Sequence, residues 1–339
     1  MNLLRHLMRK AIHISNVIVF VMSFIMVLFS SYLIVLLERE NFPSLFDGFW
    51  WVMTTVTTVG YGGDFYPETV PGRWLGLFLY IFGIGLIGLV IGKIIDGLTM
   101  YRKKREEGDI VYKEKGHYII IGWSQKAKFA IKEMLATESA IEIVIIDQLE
   151  KAPILDSNIS YIRGNACDKA PLEKANIHEA KSVLIFADDM IKDNQLADGK
   201  TLLIASTIES MAPEVHTIVE VMEESHIKNF KYMKIDEFII SDETISSLFV
   251  RSAFRKGISS IFRQLLNRSH GDDLYLVPTK SSWKTYRDAF NELLEKGATL
   301  VSDRDQLNIN RMLDQTISDH AELYVICDHE TYQNILKEY

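Results

Sequence analysis

Five consecutive residues have the types needed to bind a dehydrated cation through their backbone: Thr58, Val59, Gly60, Tyr61 and Gly62. Their carbonyls, with the Thr58 hydroxyl, supply stacked oxygens that can replace the water around an ion. The carbonyls all face one side only if the backbone alternates its handedness, and Gly60 and Gly62 permit the positive φ that this requires. One chain supplies one wall of such a site, so several copies must surround a common axis.

Two apolar runs flank this segment and have the length of membrane helices. Residues 11–37 and 74–92 contain no Asp, Glu, Lys or Arg, and about 20 apolar residues suffice to cross a bilayer as a helix. Basic residues precede the first run, and residues 102–105 after the second are all basic, which predicts that both flanks lie on the cytoplasmic side. We predict membrane helices over about 12–37 and 74–98; buried core helices of a soluble protein are the alternative.

A short helix from about Phe46 to Thr57 is expected to precede the cation-binding residues, so that helix and binding segment together span about 46–64. Irregular backbone at membrane depth is tolerated where protein buries it or water fills the space beside it. The C-terminal end of the helix directs a partial negative charge toward a cation. Trp50 and Trp51 are expected to pack around the binding segment, and an interfacial aromatic belt is the alternative interpretation.

Beyond the second apolar run, short buried strands alternate with helices. This alternation predicts a doubly wound parallel sheet. Ligands of such a sheet bind at the carboxyl ends of its strands. The predicted strands are Tyr118–Gly122, Ile141–Asp147, Ser160–Gly164, Ser182–Ala187, His216–Val221 and Glu237–Ser241.

The predicted ligand site lies at the carboxyl ends of the first three strands. Asp147 stands where an acid can bind a ribose hydroxyl, and a strand-end turn is the alternative role. The segment from Gly122 has one glycine where a dinucleotide-binding turn has three, and Trp123 would crowd a pyrophosphate. A dinucleotide in the usual pose is therefore not expected, and a mononucleotide, another small ligand or no ligand remain open. The candidate residues are Gly122, Trp123, Ser124, Asp147, Gly164 and Asn165.

Charge and cysteine content narrow the classes of partner. The formal net charge of −8 argues against nucleic acid as a partner. Cys167 and Cys327 both fall in the part predicted to be cytoplasmic, so we expect reduced thiols there. No metal-ligand spacing involves either cysteine.

The first part of the chain, residues 12–99, resembles the two-helix pore of prokaryotic potassium channels, and the run Thr58–Gly62 between two membrane spans carries the resemblance. The resemblance implies potassium (K+) as the permeant ion, a selectivity filter at these five residues and a homotetramer around the pore axis. It also implies a hinge at Gly83 and a narrow crossing near Gly88 in the second membrane helix, where close helix packing is the alternative. One departure is Gly63, which stands where the family usually has Asp directly after its filter.

The second part resembles the domain that regulates potassium conductance (RCK domain), through Ile119–Ser124 and Arg163–Asp168. In calcium-opened relatives a carboxylate cluster near the fourth and fifth strands binds the ion. Glu220 matches one of those acids, but Met222 replaces the next, so no calcium site is predicted and Glu220 remains a candidate contact for an effector. The implied divisions are a pore over 1–99, a linker over 100–116, an N-terminal lobe over 117–242, a helical crossover for dimerisation over 243–270 and a C-terminal lobe over 271–339.

From these features we predict a membrane α-helical tetrameric pore, with two helices and a re-entrant pore loop per subunit, followed by a cytosolic α/β Rossmann-like RCK domain with a smaller α+β C-terminal lobe. The predicted function is a potassium-selective channel subunit in the lipid bilayer of the cell membrane, with both termini cytoplasmic, gated by a small-molecule or ion effector and without catalytic residues. One alternative is a membrane-tethered NAD-linked oxidoreductase, which would need an intact phosphate loop and an acid–base pair. Another is a nucleotide-sensing subunit of a potassium transporter, which would not need its own filter.

Overall fold

Two units of different architecture make up the chain, and they divide between Lys104 and Arg105. The first is helical, and the second is built on two β-sheets. This order confirms the predicted fold class of a helical membrane part followed by an α/β domain. The computed structural model describes residues 16–60, 65–138, 140–266 and 271–338.

The described part of the first unit consists of helices. Two stretches, Val17–Leu37 and Val70–Glu106, are long and apolar enough to cross a membrane. The predicted start of the first membrane helix, at about residue 12, lies outside the described residues. The helices are α1 (Asn16–Leu37), α2 (Leu45–Val56), α3 (Val70–Phe78) and α4 (Ile84–Glu106), and a π-helical turn (Leu79–Gly83) joins the last two.

Side-chain caps explain where these helices begin. The Ser44 hydroxyl accepts a hydrogen bond from the Asp47 N–H at 3.2 Å, and the Asp47 carboxylate accepts one from the Ser44 N–H at 3.0 Å. Thr69 caps α3, and the buried Glu38 carboxylate accepts hydrogen bonds from the Thr69 N–H and hydroxyl at 2.7 and 2.6 Å. The second membrane helix therefore begins at residue 70 instead of 74, and it ends at 106 instead of 98 because the basic run continues the helix with good helix formers.

A six-stranded parallel sheet forms the centre of the second unit. Its strands are β1 (Tyr118–Ile121), β2 (Ile143–Asp147), β3 (Ile159–Arg163), β4 (Ser182–Ile185), β5 (His216–Val221) and β6 (Glu237–Ile240). The order across the sheet is β3-β2-β1-β4-β5-β6. Parallel sheets covered on both faces read as continuous aliphatic runs, and Ile143 to Ile146 are all buried.

Helices from the same chain cover both faces of this sheet. The covering helices are α5 (Gln125–Thr137), α6 (Lys169–Lys174) and α7 (Asn194–Met211). After β6 follow α8 (Ser241–Phe254) and α9 (Ile258–Leu265), which have no buried residue. Alternate strand residues enter two apolar clusters, one with Ile146 and Ile204 and the other with Ile145 and Ile131. Ser241, expected at the end of the sixth strand, instead begins α8.

A smaller antiparallel sheet with two helices forms the C-terminal lobe, which agrees with the predicted α+β lobe. Its elements are β7 (Asp273–Val277), α10 (Tyr286–Glu295), β8 (Thr299–Asp303), β9 (Leu323–Cys327) and α11 (His329–Leu336). The strand order is β7-β9-β8. Tyr275, Leu293 and Val325 belong to a separate core, so this lobe is stabilised by apolar contacts of its own.

Candidate pore and ligand sites

The residues predicted to bind a cation follow directly after α2. The Thr58 N–H donates to the Thr55 carbonyl at 3.2 Å and the Gly60 N–H donates to the Thr54 carbonyl at 3.0 Å, so the chain turns back on the end of the helix. Thr58 and Gly60 both have a φ of 62°, which is ordinary for glycine but rare for a β-branched residue. Val59, between them, is 60% exposed. Tyr61, Gly62 and the inserted Gly63 lie outside the described residues.

The two tryptophans of α2 have different surroundings. Trp51 is buried, packs edge-on against Phe42 with ring centroids 5.6 Å apart, and lines a cavity together with Thr58 and Gly60. Trp50 is half-exposed. Trp51 therefore packs beside the cation-binding segment, as predicted. Trp50 is exposed, which is what the aromatic-belt interpretation requires.

Gly83 and Gly88 lie on one helical stretch but differ in their surroundings. Gly83 ends the π-helical turn, and a Cβ at this position would lie 2.5 Å from Val56 Cγ1 of α2. A Cβ at Gly88 would meet no atom of the described chain within 4 Å. The close approach of Val56 explains the glycine at position 83 by packing. π-helical turns also often mark functional positions in helices. The hinge at Gly83 and the narrow crossing at Gly88 stay predictions.

A cavity of about 270 Å³ opens at the carboxyl ends of β1, β2 and β3. It brings together most of the predicted ligand residues, and its volume lies just below the range of about 300–1,000 Å³ typical of small-molecule sites. Ser124 is not among its lining residues, because its hydroxyl caps α5 by accepting from the Ala127 N–H at 3.1 Å. The predicted residues that line the cavity are Gly122, Trp123, Asp147, Gly164 and Asn165.

Asp147 ties two strand ends together beside the cavity. One carboxylate oxygen accepts from the Trp123 N–H at 2.7 Å and the other from the Leu149 N–H at 3.1 Å. These bonds fit the strand-end role that the sequence left open. They leave lone pairs for a ligand, because each carboxylate oxygen can accept two hydrogen bonds.

A half-buried ion pair that the sequence did not predict lines the other side of the cavity. Lys200 Nζ of α7 lies 2.6 Å from Asp188 Oδ2, just after β4. Burial works to raise the pKa of Asp188, but Lys200 and the Met190 N–H hold that pKa below its ordinary value. The sequence carries no local signal for this pair, because the helical pattern of α7 does not indicate which strand end its lysine meets.

Glu220 does not line the cavity and belongs to an ionic cluster beside it. Its carboxylate is buried, accepts a hydrogen bond from the Ala187 N–H at 2.8 Å and bonds the Ser241 hydroxyl. Lys126 Nζ lies 2.8 Å from Glu220 Oε1 and 2.9 Å from Asp189 Oδ1. Burial opposes the charge of Lys126, but the two carboxylates raise its pKa.

An ammonium group thus already neutralises the carboxylate that a calcium ion would need. Calcium prefers six to eight oxygen ligands. Among residues 16–60, 65–138, 140–266 and 271–338, no group of three or more His, Cys, Asp or Glu side chains is arranged to hold a metal ion. The cluster around Glu220 therefore does not fit a calcium site.

Two family models match the chain along the division seen in the structure. One, described as an ion channel, matches residues 16–100, and the other, described as a TrkA-N domain, matches residues 118–241. The chain is thus an ion-channel pore followed by a TrkA-N domain.

Curated relatives match over most of the chain. The putative potassium channel protein YugO of Bacillus subtilis is 32% identical over 285 residues, which cover 81% of this chain and 84% of that protein. The calcium-gated potassium channel TvoK of Thermoplasma volcanium is 29% identical over 287 residues, covering 82% and 81%. The chain belongs to this family of prokaryotic potassium channels, which confirms the resemblance stated from the sequence.

A solved structure has a similar fold over part of the chain. The human SLO3 gating ring aligns with a TM-score of 0.51 at 12% identity. The alignment covers 64% of this chain, and this chain spans 46% of the length of that one.

Proposed function

We propose that this chain is one subunit of a potassium-selective channel. The observation that carries the proposal is the order Thr58 to Gly62 at the C-terminal end of α2, between two stretches that can span a membrane. The positive φ at Thr58 and Gly60 supports it, since such backbone can turn successive carbonyls toward one axis. K+ is the permeant ion in this proposal.

A homotetramer completes the pore in this proposal. A single chain supplies one wall of the filter, and α4 has no buried residue within one chain, which leaves its surface for neighbouring copies and lipid. α8 and α9 also have no buried residue and expose Phe249, Phe254 and Ile261 at 74%, 83% and 56%. These apolar surfaces support a further contact between copies, through the helices predicted to form the dimer crossover.

The second unit acts as the cytoplasmic sensor in this proposal. Basic residues at both outer flanks support cytoplasmic termini and a place in the cell membrane. The cavity beside Asp147 is the proposed effector site, and its volume of about 270 Å³ suits a nucleoside monophosphate or diphosphate better than a whole dinucleotide. A divalent effector is not proposed at Glu220, because the ammonium group of Lys126 already neutralises that carboxylate.

Ion flux through purified chain in liposomes tests the proposal. We expect K+ and Rb+ to pass far better than Na+, because a rigid ring of carbonyls replaces the hydration shell of the larger ions. Equal passage of Na+ and K+ would contradict the selective filter and would direct attention to Gly63. Turnover of NAD without any ion flux would favour the membrane-tethered oxidoreductase instead.

A further inference from the structure

Arg105 and Glu106, which end α4 and begin the second unit, are hydrogen-bonded within that unit to the loop between β2 and β3 and to β3. Arg105 Nη2 donates to the Asp156 carbonyl at 2.5 Å and to the Ile159 carbonyl at 3.1 Å. The Ala152 N–H donates to the carbonyl of Glu106, the last residue of the helix, at 2.7 Å. The stretch 100–116, predicted as a linker, is thus helical up to Glu106, and Arg105 and Glu106 are hydrogen-bonded to the segment 152–159 that leads into β3.

Gly108 continues this contact against two residues of β3. Its φ is 70°, and its carbonyl accepts from the Arg163 N–H at 3.1 Å. A Cβ at Gly108 would lie 2.5 Å from the Arg163 backbone nitrogen and 2.8 Å from the ring of Tyr161. The backbone two residues after α4 therefore lies directly on the Tyr161 ring, at a distance that only glycine permits.

The other end of the Tyr161 side chain reaches the candidate ligand cavity. Tyr161 is 1% exposed, and its hydroxyl lies 2.9 Å from the Asp147 carbonyl and 2.7 Å from the Leu149 carbonyl. Asp147 and Leu149 both line the cavity. A tyrosine hydroxyl has one hydrogen to donate, so the two carbonyls share it, and a movement of the loop after β2 changes which carbonyl it serves.

We propose that Tyr161 and Gly108 transmit the effect of a ligand in the cavity to the end of the inner helix α4. The inference rests on the proposed effector site. A ligand that displaces Leu149 breaks the shared hydrogen bond, the Tyr161 ring shifts, and the Gly108 backbone shifts with it. Transmission of this kind requires that the ligand binds the two arrangements with different affinity.

The rest of the linker offers no comparable route in the described chain. The Tyr112 N–H donates to the Lys174 carbonyl and the Gly116 N–H donates to the Glu179 carbonyl, both at 2.8 Å. Neither Lys174 nor Glu179 lines the cavity. Among the described residues, the Tyr161 side chain contacts both the cavity-wall carbonyls of Asp147 and Leu149 and the backbone at Gly108.

The test uses Tyr161→Phe in the full-length channel, which removes the hydroxyl and keeps the ring on Gly108. AMP and ADP serve as probes, and their binding to purified channel is measured separately from their effect on K+ flux in liposomes. Typical allosteric couplings change an affinity about 5–150-fold. We expect nucleotide binding within about threefold of wild type, together with loss of most of the nucleotide-dependent change in flux. Tyr118→Phe, in β1 of the same sheet, is the matched control and is expected to keep both.

The outcomes separate this inference from the proposed effector site. A wild-type channel that neither binds nor responds to either nucleotide overturns the effector proposal, and the transmission route with it. A wild-type channel that responds, with Tyr161→Phe responding equally, overturns the route alone. Loss of nucleotide binding in Tyr161→Phe would show that the hydroxyl builds the cavity, and this too would overturn the route.

Discussion

The two units differ in how much of their structure a single chain completes. In the first unit, α4 has no buried residue, and large side chains of α1 such as Phe24 and Phe29 are 64% and 63% exposed. In the second unit, β2 is buried from Ile143 to Ile146, and helices of the same chain cover both faces of the sheet. The first unit has a small buried cluster around Val52, but much of its apolar surface is exposed in a single chain, whereas the second unit buries large apolar clusters within one chain.

This difference indicates how substitutions in each unit will act. In the second unit, removal of a buried contact should lower the free energy of unfolding of one chain. If the first unit assembles as proposed, the stability of the homotetramer and the fold of the chain are coupled, so substitutions there should change oligomer formation and ion passage together. The predictions below test this contrast, from the largest expected effect to the smallest.

Gly60→Ala should have the largest effect and should abolish selective K+ flux. At a φ of 62°, alanine costs about 1–2 kcal/mol, and in the proposed homotetramer the cost recurs in every copy. Flux in liposomes measures the effect. The control is Gly199→Ala in α7, where a Cβ would meet no described atom within 4 Å; flux should stay at the wild-type level. Loss of flux in both variants would contradict the separation of the two units.

Gly83→Ala should impair oligomer assembly, because the added methyl group would lie 2.5 Å from Val56 Cγ1. Overpacking of this kind costs about 1–3 kcal/mol. Combining Gly83→Ala with Val56→Ala removes the clashing methyl group and should restore assembly, as measured by size-exclusion chromatography in detergent. Gly85→Ala, where a Cβ would meet no described atom within 4 Å, is the control. Normal assembly of Gly83→Ala with an altered open probability would instead support the hinge.

The sequence predicts the elements of both units well, because each depends on local patterns. Aliphatic runs gave the strand positions, and His216–Val221 was predicted with the bounds that β5 has. Asp147 and Gly164 were placed correctly at the carboxyl ends of the strands, because these ends lie side by side in a parallel sheet.

Contacts between distant residues could not be predicted in this way. Lys126 and Glu220 are 94 residues apart, and nothing in the local pattern of α5 indicates that its lysine neutralises an acid of β5. The contact between Gly83 and Val56 is equally non-local, which is why hinge and packing could not be separated from sequence. The helical continuation to Glu106 was missed because charged residues were taken to end a membrane helix, although they continue an α-helix readily.

Lys126→Met should destabilise the second unit without changing ion selectivity. The substitution leaves Glu220, whose side chain is 5% exposed, without its ammonium partner. Breaking a buried pair costs about 3–5 kcal/mol, but the Lys126 side chain is 35% exposed, so we expect about 2 kcal/mol as water reaches the carboxylate. At about 2–4 °C per kcal/mol, the thermal midpoint of the full chain should fall by about 4–8 °C.

The neighbouring exposed Lys128→Met provides the control for Lys126→Met and should leave the midpoint unchanged. Adding Glu220→Gln to Lys126→Met should recover part of the loss, because no unpaired charge then remains buried. Calcium should not raise the midpoint of the wild-type chain. A calcium-dependent increase that Glu220→Gln abolishes would contradict the assignment of Lys126 as the resident cation.

The smallest predicted effect is a loss of stability at acid pH, through a network of charged side chains on the surface of the C-terminal lobe. Hydrogen bonds from Lys280, Trp283 and Lys296 lower the pKa of Glu292 to about 2, from an ordinary value of 4.5. Lys280 Nζ lies 2.7 Å and Lys296 Nζ 2.9 Å from the same carboxylate oxygen. The folded state therefore keeps Glu292 charged at pH values where the unfolded chain protonates it.

Because the folded pKa is depressed, the stabilisation from Glu292 is complete above about pH 4.5 and is lost as the pH falls toward 2. The side chain is 33% exposed, so water screens the network and we expect only about 1 kcal/mol. Glu292→Gln should lower the thermal midpoint of the full chain at pH 7 and flatten its decline between about pH 4.5 and 2, while the exposed Glu295→Gln should change neither. If the thermal midpoint of Glu292→Gln fell with decreasing pH as steeply as that of the wild-type chain, the network would add nothing to stability. A change in K+ selectivity at neutral pH would contradict the separation of the two units, because Glu292 belongs to the second unit and the filter to the first.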